Sequence, residues 1–474
     1  MMPATFRWTD SAVCRALGLP GGDPLPPPDP PRAYERICTD TRILRRGHVS
    51  VALRGERFDG HDFIARAVQS GCGAVVADRD PGECPVPFYR VPDTLKALGD
   101  LALHRRLQSA VPVVGITGSS GKTTVKDLTL GALAASHRAH GTEANRNNRV
   151  GAPLTILSMP ETATALVLEL GTNEPGEIAE LARIARPAIG VVTTVSETHV
   201  ERLGDLGGVL NEKLDLLRPI GASAAPPAAI VGDEPAQLPH AARTIHPDVS
   251  VAGWSSAADP DLRPAAPRRR PDGTWTFSWM DHPVRLRIPG AHNVHNALLA
   301  LAVARRLNVP PASAAAGVSS VGPGAMRGEV RRAGGLTLLV DCYNANAAGV
   351  AAAVTTLKGM AAEGRRVAVL GSMLELGERS AFIHRETLAS ALRSGIDRYV
   401  LTGAFARAAA ELADELAPLA ADRVHLVHDV DELADRLPEL VGPRDTILLK
   451  ASRGVRLERA IPVLESLGGG EGDA

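Results

Sequence analysis

Residues 113–124 read VVGITGSSGKTT, an apolar β-branched run that passes into a glycine-rich turn and then into Lys-Thr-Thr at the head of a helical pattern. Small residues at such a turn let consecutive backbone N–H groups close around phosphate oxygens, and the following helix N-terminus favours negative charge. In that arrangement Gly118, Ser119, Ser120, Gly121 and Thr124 form the cradle, Lys122 reaches the terminal phosphates, and the Thr123 hydroxyl meets Mg²⁺. The strict GxxxxGK[ST] spacing is not met, because Ile116 stands at the first glycine position between Gly115 and Gly118. On this stretch alone, a plain glycine turn ahead of a helix stays open, and the motif says nucleotide without naming a substrate.

Apolar runs at 165–170 and 188–195 follow at helix-length separations, as expected of buried parallel strands. Their alternation with helices predicts an α/β, doubly wound sheet whose ligand site lies at the carboxyl ends of the strands. Glu169 closes the first of these runs just before Gly171, so its carboxylate is expected at the edge that carries the phosphate loop, where a hard cation prefers oxygen ligands. His199 closes the next, and Lys213 follows about four turns downstream on a helical segment. Taken singly, a strand-end Glu is a solvated acid, a lone His a satisfied structural residue and a helical Lys a surface cation; their combination gives them weight.

Before this block, 49–53 and 74–77 read as short strands around a helix at 63–68, forming a small α/β unit behind a proline-rich stretch at 23–31 that cannot hold a helix. After it, 264–271 reads as a surface connection, and 275–279 with 284–288 as a hairpin. A third α/β block carries strands at 336–340, 366–370, 398–401 and 446–449, with the junction near the Gly-Pro-Gly of 322–324. The tail 468–474 reads as disordered. The expected division is residues 1–109, 110–322 and 323–474, since a chain of 474 residues exceeds one ordinary core.

A formal net charge of −1 and few aromatics argue against a nucleic-acid binder or an anionic-membrane binder. The five scattered cysteines, without a CxxC pair, suit a reducing cytoplasm. No signal-like N-terminus or long apolar run is present, so a soluble cytoplasmic protein without membrane insertion is expected.

Beyond these readings, the chain resembles the Mur ligases of bacterial cell-wall synthesis through nearly its whole length. The resemblance rests on TDTR (39–42) and LRGERFDGHDF (53–63), then GSSGKTT (118–124), NRNN (145–148), ELG (169–171), and His199 with Glu201 and Lys213. GAHNVHN (290–296), Arg327, DCYNAN (341–346), LELG (374–377) and KASR (450–453) complete the order. It is closest to the branch that adds D-alanyl-D-alanine to UDP-N-acetylmuramoyl-tripeptide in peptidoglycan synthesis.

The resemblance implies three domains: a small N-terminal α/β UDP-sugar-binding domain, a central P-loop ATPase-like sheet and a C-terminal Rossmann-like domain. It implies ATP and two Mg²⁺ as cofactors, and an acyl-phosphate intermediate. Lys122 and Thr123 would hold phosphates and metal, Glu169 would be a further metal ligand, and Lys213, as a carbamate, would hold the second Mg²⁺ near His199. Asn293 and Asn296 would lie at the adenine, with Arg327 and Asp341 closing on the nucleotide. Thr39, Asp40 and Arg42 would face the UDP portion, and Asn344, Asn346, Lys450, Ser452 and Arg453 the nucleotide or incoming dipeptide. A monomer is expected.

Departures from the family pattern are Ser372 for Asp, Ala347 for Pro, Ala451 for Gly and Glu174 for a frequent His. They bear on the acceptor amine more than on the ATP chemistry. Rival readings are a folylpolyglutamate-type or other related ligase with a different amine, a P-loop kinase or GTPase, and a silent scaffold. TDTR and GERFDGHDF speak for a UDP-sugar substrate, the lack of an NKxD motif speaks against a GTPase, and intact Lys122, Glu169 and Lys213 speak against silence.

Overall fold

Three sheets rich in parallel pairs follow one another along the chain in a computed structural model that describes residues 6–20, 32–55, 58–198, 200–221, 225–412 and 423–468. In the first, strands Arg36–Cys38, His48–Val51, Ala74–Ala77 and Phe88–Arg90 are all parallel. Gly60 approaches Leu53 so closely that a Cβ would lie 2.6 Å from its carbonyl oxygen. Nearby, the buried His61 ring spans Asp59 at 2.6 Å and Asp78 at 3.0 Å. Residues 58–63 of the GERFDGHDF stretch are thereby folded back against their own sheet. The proline-rich stretch at 23–31 lies outside the described residues.

The central sheet orders its strands Val249–Ala252, Ala228–Gly232, Ile189–Val192, Val113–Thr117, Ala165–Glu169 and Ala139–Gly141, every pair parallel. The chain runs to one side of Val113–Thr117 and then returns to the other, which is the switch point where an open α/β sheet leaves a crevice at its carboxyl ends. Strand Val113–Thr117 is buried at all five positions, consistent with its unbroken apolar reading. Helix His292–Arg306 is buried from Asn293 to Ala304 and packs across this sheet, as a helix apolar on every side must.

Some local expectations change. Residues 264–271 are not a bare connection, because Ala265–Arg269 pairs antiparallel with Trp275–Trp279, making a three-stranded sheet rather than a two-stranded hairpin. All five of its residues are exposed, and Pro267 is tolerated on an edge strand that needs no further partner. The third strand is His282–Arg285 rather than 284–288, and of the expected run at 188–195 only Ile189–Val192 is regular strand.

The third sheet runs Glu329–Ala333, Leu336–Val340, Thr446–Lys450, Arg366–Leu370, Arg398–Thr402 and Val424–Val427. Only its first pair is antiparallel. Residues 321–324 carry no regular structure, matching the Gly-Pro-Gly break. Helix Ile461–Gly468 closes the described chain, and the rest of the tail lies outside the described residues.

The third domain is packed onto the central one. A single apolar cluster includes Val192, Val200 and Leu203 of the central domain with Ala345, Met373 and Leu376 of the third. The Arg379 guanidinium grips Glu197 with two bonds of 3.1 and 3.2 Å, and Ala361 N–H donates to Pro271 O at 2.7 Å.

Candidate active site at the carboxyl edge of the central sheet

The loop after Val113–Thr117 is held in shape by its neighbours across the switch point. Ser119 N–H donates to Thr194 O at 2.8 Å, the Thr193 hydroxyl to Ser120 O at 2.5 Å, and the Ser119 hydroxyl to Ser196 O at 3.0 Å. Gly118 has φ +146° and Gly121 φ +83°; a Cβ on Gly118 would meet Thr193 Oγ1 at 2.0 Å, and one on Gly121 would meet Asn296 Oδ1 at 2.5 Å. Glycine is therefore required at both positions by strain and by close approach. Helix Lys122–Leu133 starts at Gly121 without a side-chain cap, which leaves its first N–H groups for an anion. Lys122 Nζ donates to Gly118 O at 2.6 Å, folded over the loop.

Glu169 pairs in register with Ile116, so its carboxylate stands beside the root of the loop. It is 2 % exposed; Oε1 accepts from Asn147 Nδ2 at 2.8 Å, whereas Oε2 is buried without a hydrogen-bond partner. A buried anionic oxygen left unpaired is costly, and such an atom suits an oxygen-seeking cation. Burial depresses the Lys122 ammonium from its ordinary value; Glu169 and Glu375 oppose that shift and Arg327 reinforces it. These charges therefore converge on one small volume.

Lys213 lies on helix Leu206–Leu214, whose start is capped by Asp205 accepting Gly208 N–H at 2.9 Å. It is 1 % exposed, and no hydrogen bond or ion pair reaches its Nζ among the described residues. Burial first and nearby Lys122 second push its pKa down to about 7, against the opposing pull of Glu212 and Glu177. Its neighbour Glu212 is fully engaged: it accepts from Thr172 Oγ1 at 3.0 Å, Gly176 N at 2.7 Å and Ile178 N at 2.9 Å. Glu212 thereby fixes the loop that leaves Glu169. His199 lies outside the described residues, and among those described no three His, Cys, Asp or Glu cluster as a metal site.

Asn293 Nδ2 donates to Pro289 O at 2.7 Å, and Asn296 Nδ2 to Asn293 Oδ1 at 2.8 Å, which sets both amides behind the loop. From the third domain, Asn346 caps helix Ala347–Gly359 through Gly349 N–H at 2.7 Å and donates to Ser120 Oγ at 3.0 Å. Lys450 Nζ bridges Asp341 Oδ2 at 2.7 Å and Asn344 O at 2.8 Å. The Arg327 guanidinium lies 3.8 Å over the Tyr343 ring.

Other predicted residues are engaged elsewhere. The Ser452 hydroxyl is buried, accepting Leu374 N–H at 3.0 Å, and Arg453 pairs with Glu458 at 2.9 Å. In the first domain Arg42 folds onto Asp40 with bonds of 2.7 to 3.1 Å, an exposed pair beside the half-buried Thr39. Residues that sequence reasoning passed over are Asn147, Thr193 and Glu212. Asn147 lies within the NRNN stretch and could have been singled out; Thr193 and Glu212 carry no local signal.

The departures find local reasons. Ser372 Oγ accepts Ala404 N–H at 2.9 Å, capping helix Ala404–Glu411 behind Gly403, which has no side chain to do so. Ala347 is the first residue of its helix, where the backbone N–H has no helical partner whether Ala or Pro stands there. Glu174 pairs with Arg202. Ala451 is buried, its Cβ 2.9 Å from where one on Gly371 would stand.

Three family descriptions match in chain order: "Mur ligase family, catalytic domain" over 33–106, "Mur ligase middle domain" over 116–304 and "Mur ligase, glutamate ligase domain" over 326–453. Fold and site thus define a three-domain ligase that uses ATP to form an amide bond. The chain belongs to the Mur ligase family. It is 34 % identical over 430 residues to the UDP-N-acetylmuramoyl-tripeptide–D-alanyl-D-alanine ligase of Bacillus subtilis, covering 90 % of this chain and 92 % of that one. A crystal structure of MurF from Acinetobacter baumannii superimposes with a TM-score of 0.85 at 27 % identity, over 97 % of this chain and 99 % of that one. MurF ligase from Thermotoga maritima in complex with ADP gives 0.78 at 27 % identity, over 92 % and 98 %. No described helix is long and apolar enough to cross a membrane.

Proposed function

We propose that this chain joins D-alanyl-D-alanine to UDP-N-acetylmuramoyl-tripeptide through an acyl phosphate made with ATP, as a monomer in the cytoplasm. The observation that carries the reading is the convergence at one sheet edge of the Gly118–Thr124 loop, Lys122, Glu169 and Lys213, with Asn346 of the third domain bonded to the same loop. Domains spanning residues 1–109, 110–322 and 323–474 divide the work into sugar-nucleotide binding, phosphoryl transfer and amine delivery.

The loop amides and Lys122 bind the ATP phosphates, Lys122 exchanging Gly118 O for phosphate oxygens. The unpartnered Glu169 Oε2 and the Thr123 hydroxyl fit one Mg²⁺; Lys213, with its amine pushed toward neutrality, fits carbamate formation and a second Mg²⁺ alongside His199. Bound Mg²⁺ supplies the screening that lets one anion approach another. Asn293 and Asn296 serve the adenine side, and Arg327 and Asp341 reach the nucleotide from the third domain. Thr39, Asp40 and Arg42 serve the UDP moiety. Asn344, Lys450, Ser452 and Arg453 shape the wall from which the dipeptide amine arrives.

The tripeptide carboxylate attacks the γ-phosphorus and ADP leaves; the amine then attacks the acyl carbon and phosphate leaves. An acyl phosphate is lost to bulk water, so the packing of the third domain against the loop protects it. The test is release of ADP and phosphate by purified protein given ATP, Mg²⁺, the UDP-linked tripeptide and a panel of amines. Turnover should require both the tripeptide and D-alanyl-D-alanine; preference for another amine would refute this acceptor.

A further inference from the structure

Where the three-stranded sheet of the central domain meets the third domain, a concavity of about 350 Å³ opens to solvent, lined by Arg269, Arg270, Lys358 and Arg366. The ligase chemistry uses none of these. Arg269 ends the exposed edge strand, Lys358 sits in the last turn of helix Ala347–Gly359, and Arg366 begins the strand Arg366–Leu370. Among the described residues none of the four forms an ion pair. Arg366 donates from Nη2 to Met360 O at 2.9 Å, but its Nε is buried and has no partner.

The carbonyls at a helix C-terminus favour nearby cations, which accounts for Lys358 and for Arg269 lying over Gly359. They do not account for Arg270, which adds a further cation to the hollow and forms no ion pair among the described residues. Planar guanidinium groups match phosphate oxygens through paired N–H bonds, and several around one hollow favour a ligand with more than one negative charge. We propose that this concavity binds a small polyanion of the diphosphate class, gripped from both domains. A ligand held by Arg269 and Arg270 on one side and Lys358 and Arg366 on the other bridges the central and third domains.

The test is calorimetric titration of inorganic pyrophosphate, without Mg²⁺, into the full-length chain, its Lys122→Ala variant and its Arg269→Gln/Lys358→Gln variant. Pyrophosphate should bind Lys122→Ala as it binds the parent at this site, and bind Arg269→Gln/Lys358→Gln at least tenfold more weakly, while that double variant keeps its melting temperature and ligase turnover. ADP competing for the site in Lys122→Ala would identify a nucleotide-borne diphosphate; failure to compete would identify the free inorganic ion. Equal affinity in the double variant, or binding that disappears wholly with Lys122→Ala, would overturn the proposal.

Discussion

Asn346 Nδ2 donates to Ser120 Oγ at 3.0 Å, joining the start of a third-domain helix to the phosphate loop of the central domain. The same side chain accepts Gly349 N–H as a helix cap. Its two functions separate by substitution. Asn346→Asp keeps a good cap but reverses the contact, accepting from the Ser120 hydroxyl and setting a negative charge beside the phosphate loop, whereas Asn346→Ala loses both. Loss of the cap should cost about 1 kcal/mol and lower the thermal midpoint by a few degrees, in Ala only. Both variants should show a reduced kcat, read by steady-state kinetics beside a melting curve; an Ala variant with parental kcat would break the link between the contact and turnover.

Glu169 leaves one oxygen buried and unpaired. Glu169→Gln keeps the bond with Asn147 through its amide oxygen but removes the charge. The Mg²⁺ concentration for half-maximal activity should rise by about tenfold or more, and kcat should fall by about a hundredfold. Fold stability without Mg²⁺ should not drop, because an uncompensated buried charge is removed. An unchanged Mg²⁺ dependence would exclude Glu169 as a metal ligand.

Lys213 gives a pH signature. Its folded pKa is pushed from 10.5 down to about 7 by burial first and by Lys122 second. Below about pH 7 both folded and unfolded chains carry the proton and the full burial penalty is present. Between about 7 and 10.5 the unfolded chain binds more protons, so stability rises with pH across that window. In chelator and without bicarbonate, denaturant melts should show this rise in the parent and its loss in Lys213→Met. Lys213→Ala should be nearly inactive and partly restored by short carboxylates; full activity without them would rule out the carbamate.

Ser372 supplies a cap to helix Ala404–Glu411. Ser372→Ala should cost about 1 kcal/mol in the third domain, while Ser372→Asp should retain the cap and gain a favourable charge at the helix N-terminus. Neither should change which amine is used. A shift in the ratio of kcat/KM between D-alanyl-D-alanine and other dipeptides would return Ser372 to the acceptor site.

The strands that were legible are those where β-branched and leucine runs sit buried on both faces, as in Val113–Thr117, Leu336–Val340 and Thr446–Lys450. Strands Ala139–Gly141, Ala228–Gly232 and Val249–Ala252 were not, since the first has no β-branched residue and the other two set only two each among Ala, Ser and Gly, too short a pattern to stand out without their sheet neighbours. Lys122 and Glu169 were readable because a glycine turn and a strand end announce them, whereas Lys213, inside a helix, drew its weight from the resemblance. Glu212, which buries its carboxylate to hold residues 172–178, and Thr193, which braces Ser120, belong to the site only through tertiary contact. The same holds for the hydroxyl of Ser452, spent on a backbone N–H of the neighbouring loop.

The most direct test is oxygen transfer. With the tripeptide carboxylate labelled with oxygen-18, and both ATP and D-alanyl-D-alanine supplied, each phosphate released should carry one labelled oxygen, since that atom bonds to phosphorus and leaves with it. Unlabelled phosphate accompanying amide formation would contradict an acyl phosphate and, with it, the chemistry assigned to Lys122, Glu169 and Lys213.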